Sequence, residues 1–314
     1  MQSAEMIRAV IFVGVVVGVY VAEAGVLVRF VRRRLAAGED GPSGLLRPGA
    51  VVVHVLAIVG VGCMGWGYFV EPYRLEVTRV ELRTGKLEEG RLRIVHISDL
   101  HCDPKARNEP KLAGVINPLE PDLIVFTGDA VNSHKAVPLF RRTLRSLEAR
   151  LGKLAVRGNF DVGRAREWDL FGKTGFRLLE DESVVLEKAG EEFRVCGLGA
   201  LSRRPGELVS KGQEGLYTIY LHHYPAPVEE VAGEVVDLYL CGHTHGGQVA
   251  LPLYGAIITL SRTGKKYERG LYRVGPTAMY VSRGIGMEGG AAPRVRFWAR
   301  PEVTVIDVMP ASGE

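Results

Sequence analysis

Two long apolar stretches open the chain. Residues 9–31 are apolar apart from Glu23 and Arg29, and residues 50–70 are apolar apart from His54. Each matches the ~20 residues that a helix needs to cross a bilayer core, so residues 1–70 are expected to form a transmembrane helical hairpin. Ala22-Glu23-Ala24 fits a signal-peptide cleavage pattern, but Arg8 is a thin basic start and the apolar run continues past the triplet. Gly14 and Gly18 give a small-xxx-small spacing that would let the second helix pack closely, with the glycine-rich residues 60–67 as partner. Arg32, Arg33, Arg34 and Arg47 between the runs favour a cytoplasmic loop, while Arg74, Arg79, Arg83, Lys86, Arg91 and Arg93 after the second run favour the opposite orientation. The side on which residues 71–314 lie stays open.

Beyond residue 70 the period shortens. Residues 74–83 alternate apolar and polar side chains, so residues 71–90 read as a linker and first strand, forming a hairpin with the next run. Short apolar runs at 92–98, 123–127, 154–156, 216–221 and 237–241 read as buried strands. Each stops at a group able to bind a metal: Asp99-Leu100-His101, Gly128-Asp129, Gly158-Asn159-Phe160-Asp161, His222-His223-Tyr224-Pro225 and Gly242-His243-Thr244-His245. Between them a modest helix is expected within residues 103–121. Residues 137–151 place Phe140, Leu144, Leu147 and Leu151 at helical spacing, and residues 166–173 predict a further helix. Strands dominate from residue 176 onward. This order fits an α/β fold, a two-sheet β-sandwich flanked by helices, over residues 91–314.

Composition removes alternatives. The net charge of +4 in 314 residues, with both signs well mixed, makes no call for nucleic acid. Cys63, Cys102, Cys196 and Cys241 show no C-x-x-C spacing, which argues against a disulfide framework. Gly60-x-Gly62-x-x-Gly65 and Gly284-x-Gly286-x-x-Gly289 lack the following helix that a dinucleotide site requires. The carboxylate, imidazole and amide groups at the strand ends suit Mn, Fe or Zn better than Ca or a thiolate-bound metal.

The motifs D-x-H, G-D, G-N-x-D, H-x-P and G-H-T-H-G-G-Q, in that order, resemble the calcineurin-like metallophosphoesterase superfamily, in particular its membrane-associated bacterial phosphodiesterases. The resemblance extends over residues 91–308. It implies two divalent ions, one held by Asp99, His101 and His245, the other by Asn159, His223 and His243, with Asp129 bridging. Such a pair would lower the pKa of a shared water and neutralise charge on a phosphoryl group. Asp129, Asn159, Asp161 and His222 are the implied catalytic set. His222 and His223 compete for one ligand place, which the H-x-P spacing gives to His223. His96 is expected to be a hydrogen-bonded structural residue, and Cys102 and Cys241 packing residues.

Phe160 departs from the resemblance, because many members carry there a histidine that serves as an acid to the leaving oxygen. Either His222, His134 or a nearby arginine takes that role, or the leaving group needs little protonation. A phosphate monoester, with a second pKa of about 6, leaves far more easily than an alkoxide, which favours a diphosphate bond. In this the chain is similar to enzymes that hydrolyse UDP-2,3-diacylglucosamine in lipid A synthesis, and a phosphate-containing small-molecule or lipid substrate at the bacterial inner membrane is expected. Arg157, Arg164, Arg203, Arg204 and Arg283 are candidates for the second phosphate, with Phe160 and His134 as further contacts. The alternatives are a generic membrane-anchored phosphodiesterase of phospholipids or nucleotides, and a non-catalytic metal-binding scaffold.

Overall fold

The structure, a computed structural model, describes residues 3–37, 45–88, 90–202, 205–210, 215–233, 235–289 and 294–311. Two helices lead. α1 spans Ser3–Ala37 and α2 spans Pro48–Phe69. Pro48 at the first position of α2 supplies a preset φ and lacks only an N–H that would have had no partner. Both helices are long and apolar enough to cross a membrane, and Val10, Val21, Ile58 and Phe69 are among the large apolar side chains they expose.

The helices touch at Gly60, within the expected glycine-rich segment, but the α1 side of the contact is not the expected one. Tyr20 donates its hydroxyl to the Ala57 carbonyl at 3.2 Å and covers Gly60, where a Cβ would come within 2.5 Å of the Tyr20 oxygen. Glu23 meets His54 Nδ1 at 2.7 and 2.8 Å, so each polar intruder in an apolar run is the other's partner. Gly14 and Gly18, expected at the close approach, have no atom within 4 Å of a notional Cβ. The large Tyr20 ring, rather than a small-residue stripe, makes the contact.

Among the described residues fourteen strands follow: β1 (Glu76–Thr84), β2 (Leu92–Ile97), β3 (Leu123–Phe126), β4 (Gly152–Ala155), β5 (Phe176–Leu178), β6 (Glu182–Lys188), β7 (Glu191–Gly197), β8 (Tyr217–Leu221), β9 (Leu238–Cys241), β10 (Ala250–Leu251), β11 (Gly255–Ala256), β12 (Gly270–Val274), β13 (Thr277–Val281) and β14 (Glu302–Pro310). One six-stranded sheet has the order β1-β14-β2-β3-β4-β5, the other β12-β13-β9-β8-β7-β6, and β10 pairs with β11 alone. β2 to β5 run parallel, as do β7, β8, β9 and β13. Their carboxyl ends therefore gather the loops that carry the polar motifs.

The inner faces of the two sheets bury Ile94, Val125 and Ile306 against Val195, Ile219 and Leu240. Val95, Ile124 and Phe126 point the other way, onto Leu112 and Ile116 of α3 (Leu112–Ile116) and Phe140 and Leu144 of α4 (Val137–Arg145). Tyr220, Tyr239 and Met279 cover the outer face of the second sheet. Strands covered on both faces need apolar side chains at every position, which is why they read as unbroken apolar runs.

Three local expectations change. β1 makes no hairpin with β2; β14 lies between them, parallel to β1 and antiparallel to β2, a long-range insertion that local alternation does not encode. Residues 166–173 are turns, because the Asp169 carboxylate accepts the Gly172 N–H at 2.8 Å and closes the chain on itself. The helix expected to residue 151 ends at Arg145, where the Ser146 hydroxyl donates to the Thr143 carbonyl at 2.8 Å.

The helical pair α1 and α2 is docked on the sheets at two ends. Glu5, fully buried, accepts the Thr259 N–H at 3.0 Å and the Thr259 hydroxyl at 2.6 Å. At the other end the Arg296 N–H donates to the Gly67 carbonyl at 2.9 Å, and the Ala299 N–H to Glu71 at 2.8 Å.

Candidate metal centre

The site is built from five strand ends. After β2 the chain turns at Asp99 (φ 49°) and His101 (φ 37°), held by Asp99 N–H to the Gly128 carbonyl at 2.9 Å and His101 N–H to the Asp129 carbonyl at 3.0 Å. Asp129 (φ 59°), His243 (φ 72°) and His245 (φ 52°) are also left-handed. A non-glycine residue in that region costs roughly 1 kcal/mol or more, so five such residues among the candidate donors mark backbone bent to aim side chains. Glycine is obligatory alongside: a Cβ at Gly242 would lie 2.1 Å from Asp99 Oδ2, and one at Gly158 2.2 Å from Asp129 Oδ1.

The side chains converge. Asp129 Oδ2 stands 3.4 Å from His101 Nε2 and 3.4 Å from His223 Nε2. Asp99 Oδ1 is 3.4 Å from His245 Nε2, and His223 Nε2 is 2.9 Å from Asn159 Oδ1. Two clusters have donor atoms mutually within 4.8 Å: Asp99, His101 and His245, and Asp99, Asp129 and His223. His243 stands beside them, its ring 5.1 Å from that of His223; its Nε2 is 3.3 Å from the Leu260 carbonyl, and with that bond made Nδ1 keeps the lone pair.

Outer partners set the imidazoles. His101 Nδ1 lies 3.0 Å from Asn132 Oδ1, and His223 Nδ1 lies 2.8 Å from the Thr127 carbonyl. With those nitrogens donating, each Nε2 is the ring atom left facing the centre. Arg296, wholly buried, spends its guanidinium on the carbonyls of Arg283, Gly286 and Ala299, with Nη2 3.4 Å from His245 Nδ1.

Electrostatics ask for cations. Against the upward push of burial, His223 and His101 hold Asp129 well below the usual carboxylate range. Burial would lower His223, but the carboxylates of Asp129 and Asp99 carry it up to about 10. Burial, then the neighbouring His223, brings His243 down to about 3. The buried His101 Nε2 has no hydrogen-bond partner among the described residues, which is costly unless something positive takes its lone pair. Nitrogen and oxygen donors around buried carboxylates fit divalent ions of borderline hardness.

Residues 92–247 match the family model described as calcineurin-like phosphoesterase. An uncharacterized metallophosphoesterase, YkuE of Bacillus subtilis, is 35% identical over 267 residues, covering 79% of this chain and 91% of the relative. The chain belongs to the calcineurin-like phosphoesterase family. Members of this metallophosphoesterase family are hydrolases of phosphoric esters that use divalent metals. Phosphodiesterase YaeI of Escherichia coli is 30% identical, covering 78% of this chain and 93% of its own length. UDP-2,3-diacylglucosamine pyrophosphatase LpxG of Chlamydia muridarum is 26% identical, covering 81% and 96%.

Other predicted site residues of this phosphoesterase take separate places. Asp161 is buried below the centre and accepts the N–H groups of Asp129, Ala130 and Gly158 at 2.8, 2.9 and 2.9 Å, so it shapes the loop that carries Asp129. His222 contacts Tyr224 and Tyr239, with Nδ1 accepting the Tyr224 N–H at 3.0 Å, and burial lowers its pKa to about 4. Phe160 packs edge-on against His101 at 4.8 Å, with Arg164 over its ring at 5.0 Å. Arg157 braces the Arg166 carbonyl and Glu180, and the exposed His134 rests on Trp168. Arg283 pairs with Glu302 and Glu76 at 2.9 Å. Arg203 and Arg204 lie outside the described residues.

Sequence reading gave no site role to Asn132, Thr127, Arg296 or Glu288. Asn132 follows Asp129 by three residues, a spacing that could have pointed to it. Glu288 is half-buried; burial raises its pKa, and it lies within electrostatic reach of His101, Asp129 and Asp99.

Proposed function

We propose that this phosphoesterase is a membrane-anchored hydrolase that splits the diphosphate bond of a lipid-linked nucleotide such as UDP-2,3-diacylglucosamine, using two divalent ions. In this reading residues 1–70 anchor the chain and the phosphoesterase domain spans residues 91–314, with β1 completing its first sheet. Asp99, His101 and His245 would hold one ion and Asn159, His223 and His243 the other, with Asp129 contributing to both. The observation that carries this is the single oxygen Asp129 Oδ2 at 3.4 Å from both His101 Nε2 and His223 Nε2. When bound, the ions supply an activated water and offset charge on the phosphoryl oxygens.

The chain's own residues do the rest. Asn132 and the Thr127 carbonyl fix the imidazoles, and Asp161 fixes the Asp129 loop. Phe160, at the position beside His101, offers no proton to a leaving oxygen, so a leaving group stable as an anion is favoured, and Arg164 above it presents a guanidinium to a second phosphate. The pyrophosphatase relative and the two apolar helices support a lipid-linked diphosphate; the phosphodiesterase relative supports the broader reading of a phospholipid or nucleotide diester.

The test is a product analysis by mass. The full chain in detergent, loaded with Mn, is offered a nucleotide-diphospho-lipid beside a simple phospholipid. Nucleoside monophosphate and lipid phosphate are the expected products, and Asp129→Ala lowers their formation by about a thousandfold. Preference for the alkyl diester would overturn the diphosphate assignment, and undiminished turnover in Asp129→Ala would overturn the site.

A further inference from the structure

Where α2 meets the domain, Trp66, Trp298, Arg269, Arg283 and Arg300 line a cavity of about 370 Å³. Trp66 sits in the last turn of α2 and Trp298 beside it, 42% and 54% exposed. Exposed indoles at the end of a membrane-spanning helix belong at the level of lipid headgroups. Arg74 stands at the rim, its guanidinium 5.4 Å above the Trp66 ring. On the far wall Arg283 and Arg269 pack on Gly246, next to His245, so the cavity backs directly onto the metal-binding turn.

The charges of this cavity are unequally spent. Glu71 is used up by the Trp66 indole N–H at 2.9 Å and the Ala299 N–H at 2.8 Å. Glu302 and Glu76 both engage Arg283 at 2.9 Å. Arg300 touches Glu76 only at 3.9 Å, and Arg269 gives one N–H to the Trp298 carbonyl. Among the lining residues three guanidinium groups, Arg269, Arg283 and Arg300, stand with two carboxylates, Glu71 and Glu76, and the excess is a single positive charge, while Glu302 and Arg296 offset each other behind the wall. That matches a phosphodiester, which carries one negative charge, and the planar forks of Arg269 and Arg300 suit its two free oxygens.

We propose that this cavity binds the phosphodiester headgroup of a membrane phospholipid, with the phosphate between Arg269 and Arg300, the glycerol against Trp66 and Trp298, and the acyl chains along α2. The proposal rests on α1 and α2 spanning the membrane, and is independent of what the metal centre hydrolyses. Arg283 is held in place by its two glutamates and forms the wall.

The test is retention of lipid by the full chain. Protein released from detergent in the presence of phosphatidylglycerol is weighed by native mass spectrometry, with inorganic phosphate or a water-soluble glycerophosphodiester as competitor. The wild type retains one phosphatidylglycerol, the soluble competitors do not displace it at equal concentration, and Arg269→Gln/Arg300→Gln weakens retention by about tenfold or more. Arg300→Gln alone, at an exposed side chain, gives a smaller loss in a protein with unchanged circular dichroism. Equal retention by the variants, or displacement by inorganic phosphate, would overturn the headgroup site. Alkaline carbonate extraction separates the two premises: release of the wild type from membranes defeats the spanning helices and the proposal together, whereas membrane retention with unselective lipid binding defeats the proposal alone.

Discussion

The Asn132 amide reaches His101 twice, through Oδ1 to Nδ1 at 3.0 Å and through Nδ2 to the backbone carbonyl at 2.9 Å. Outer partners of this kind typically control 10- to 100-fold in metal affinity, so Asn132→Ala is expected to weaken binding of the ion beside His101 by about that factor in a calorimetric titration, with the melting temperature of the metal-free protein little changed. A second single-residue effect concerns stability. His96 is fully buried with Nε2 on the Thr127 hydroxyl at 2.8 Å, and burial lowers its pKa from 6.5 to about 4. Unfolded chains take up that proton below about pH 6.5 and the folded protein does not until about pH 4, so the stabilisation is complete above 6.5 and is lost as pH falls toward 4. The difference corresponds to about 3 kcal/mol. Melting curves of wild type and His96→Gln, recorded across that range, should converge as acid is added. The candidate donors that converge were legible because D-x-H and G-H-T-H put metal-binding groups straight after apolar runs; Arg296 was legible only as part of the resemblance and Glu288 not at all, since neither ends an apolar run.

At the scale of the elements, the crossing of the β2 loop with the β9 loop leaves no room for error. A Cβ at Gly242 would sit 2.1 Å from both Asp99 Oδ2 and Ser98 Oγ. Gly242→Ala must therefore push Asp99 aside, costing about 1–3 kcal/mol of stability, and elemental analysis should find fewer than two ions per chain under saturating Mn. Strands β2, β3, β8 and β9 were plain in the sequence because both of their faces are covered. The partnership of β1 with β14 was hidden, because nothing within residues 76–84 specifies a mate more than two hundred positions away. The turns of residues 166–173 were hidden differently: Asp169 closing on Gly172 is a side-chain to backbone bond that a count of apolar positions does not register.

For the whole molecule, the Glu23–His54 pair and the Tyr20 contact fix α1 and α2 side by side, and Glu5 and Gly67 dock the two remaining ends on one domain. Reporters fused before Met1 and after Glu314 should consequently read the same compartment, whichever that is; opposite readings would break the hairpin. The two long helices were legible through length and apolarity, whereas the arginines pointed both ways because they flank both ends of the second apolar run.

Glu5 gives that docking a practical edge. Its carboxylate reaches Thr259, and the adjacent Leu260 offers its carbonyl to His243. A fragment begun at residue 71 would keep both sheets but strip Thr259 of its carboxylate partner, one residue from the carbonyl that meets His243. Trimming the protein for convenience would thereby blunt the catalyst, and assays on such a fragment would understate the native rate.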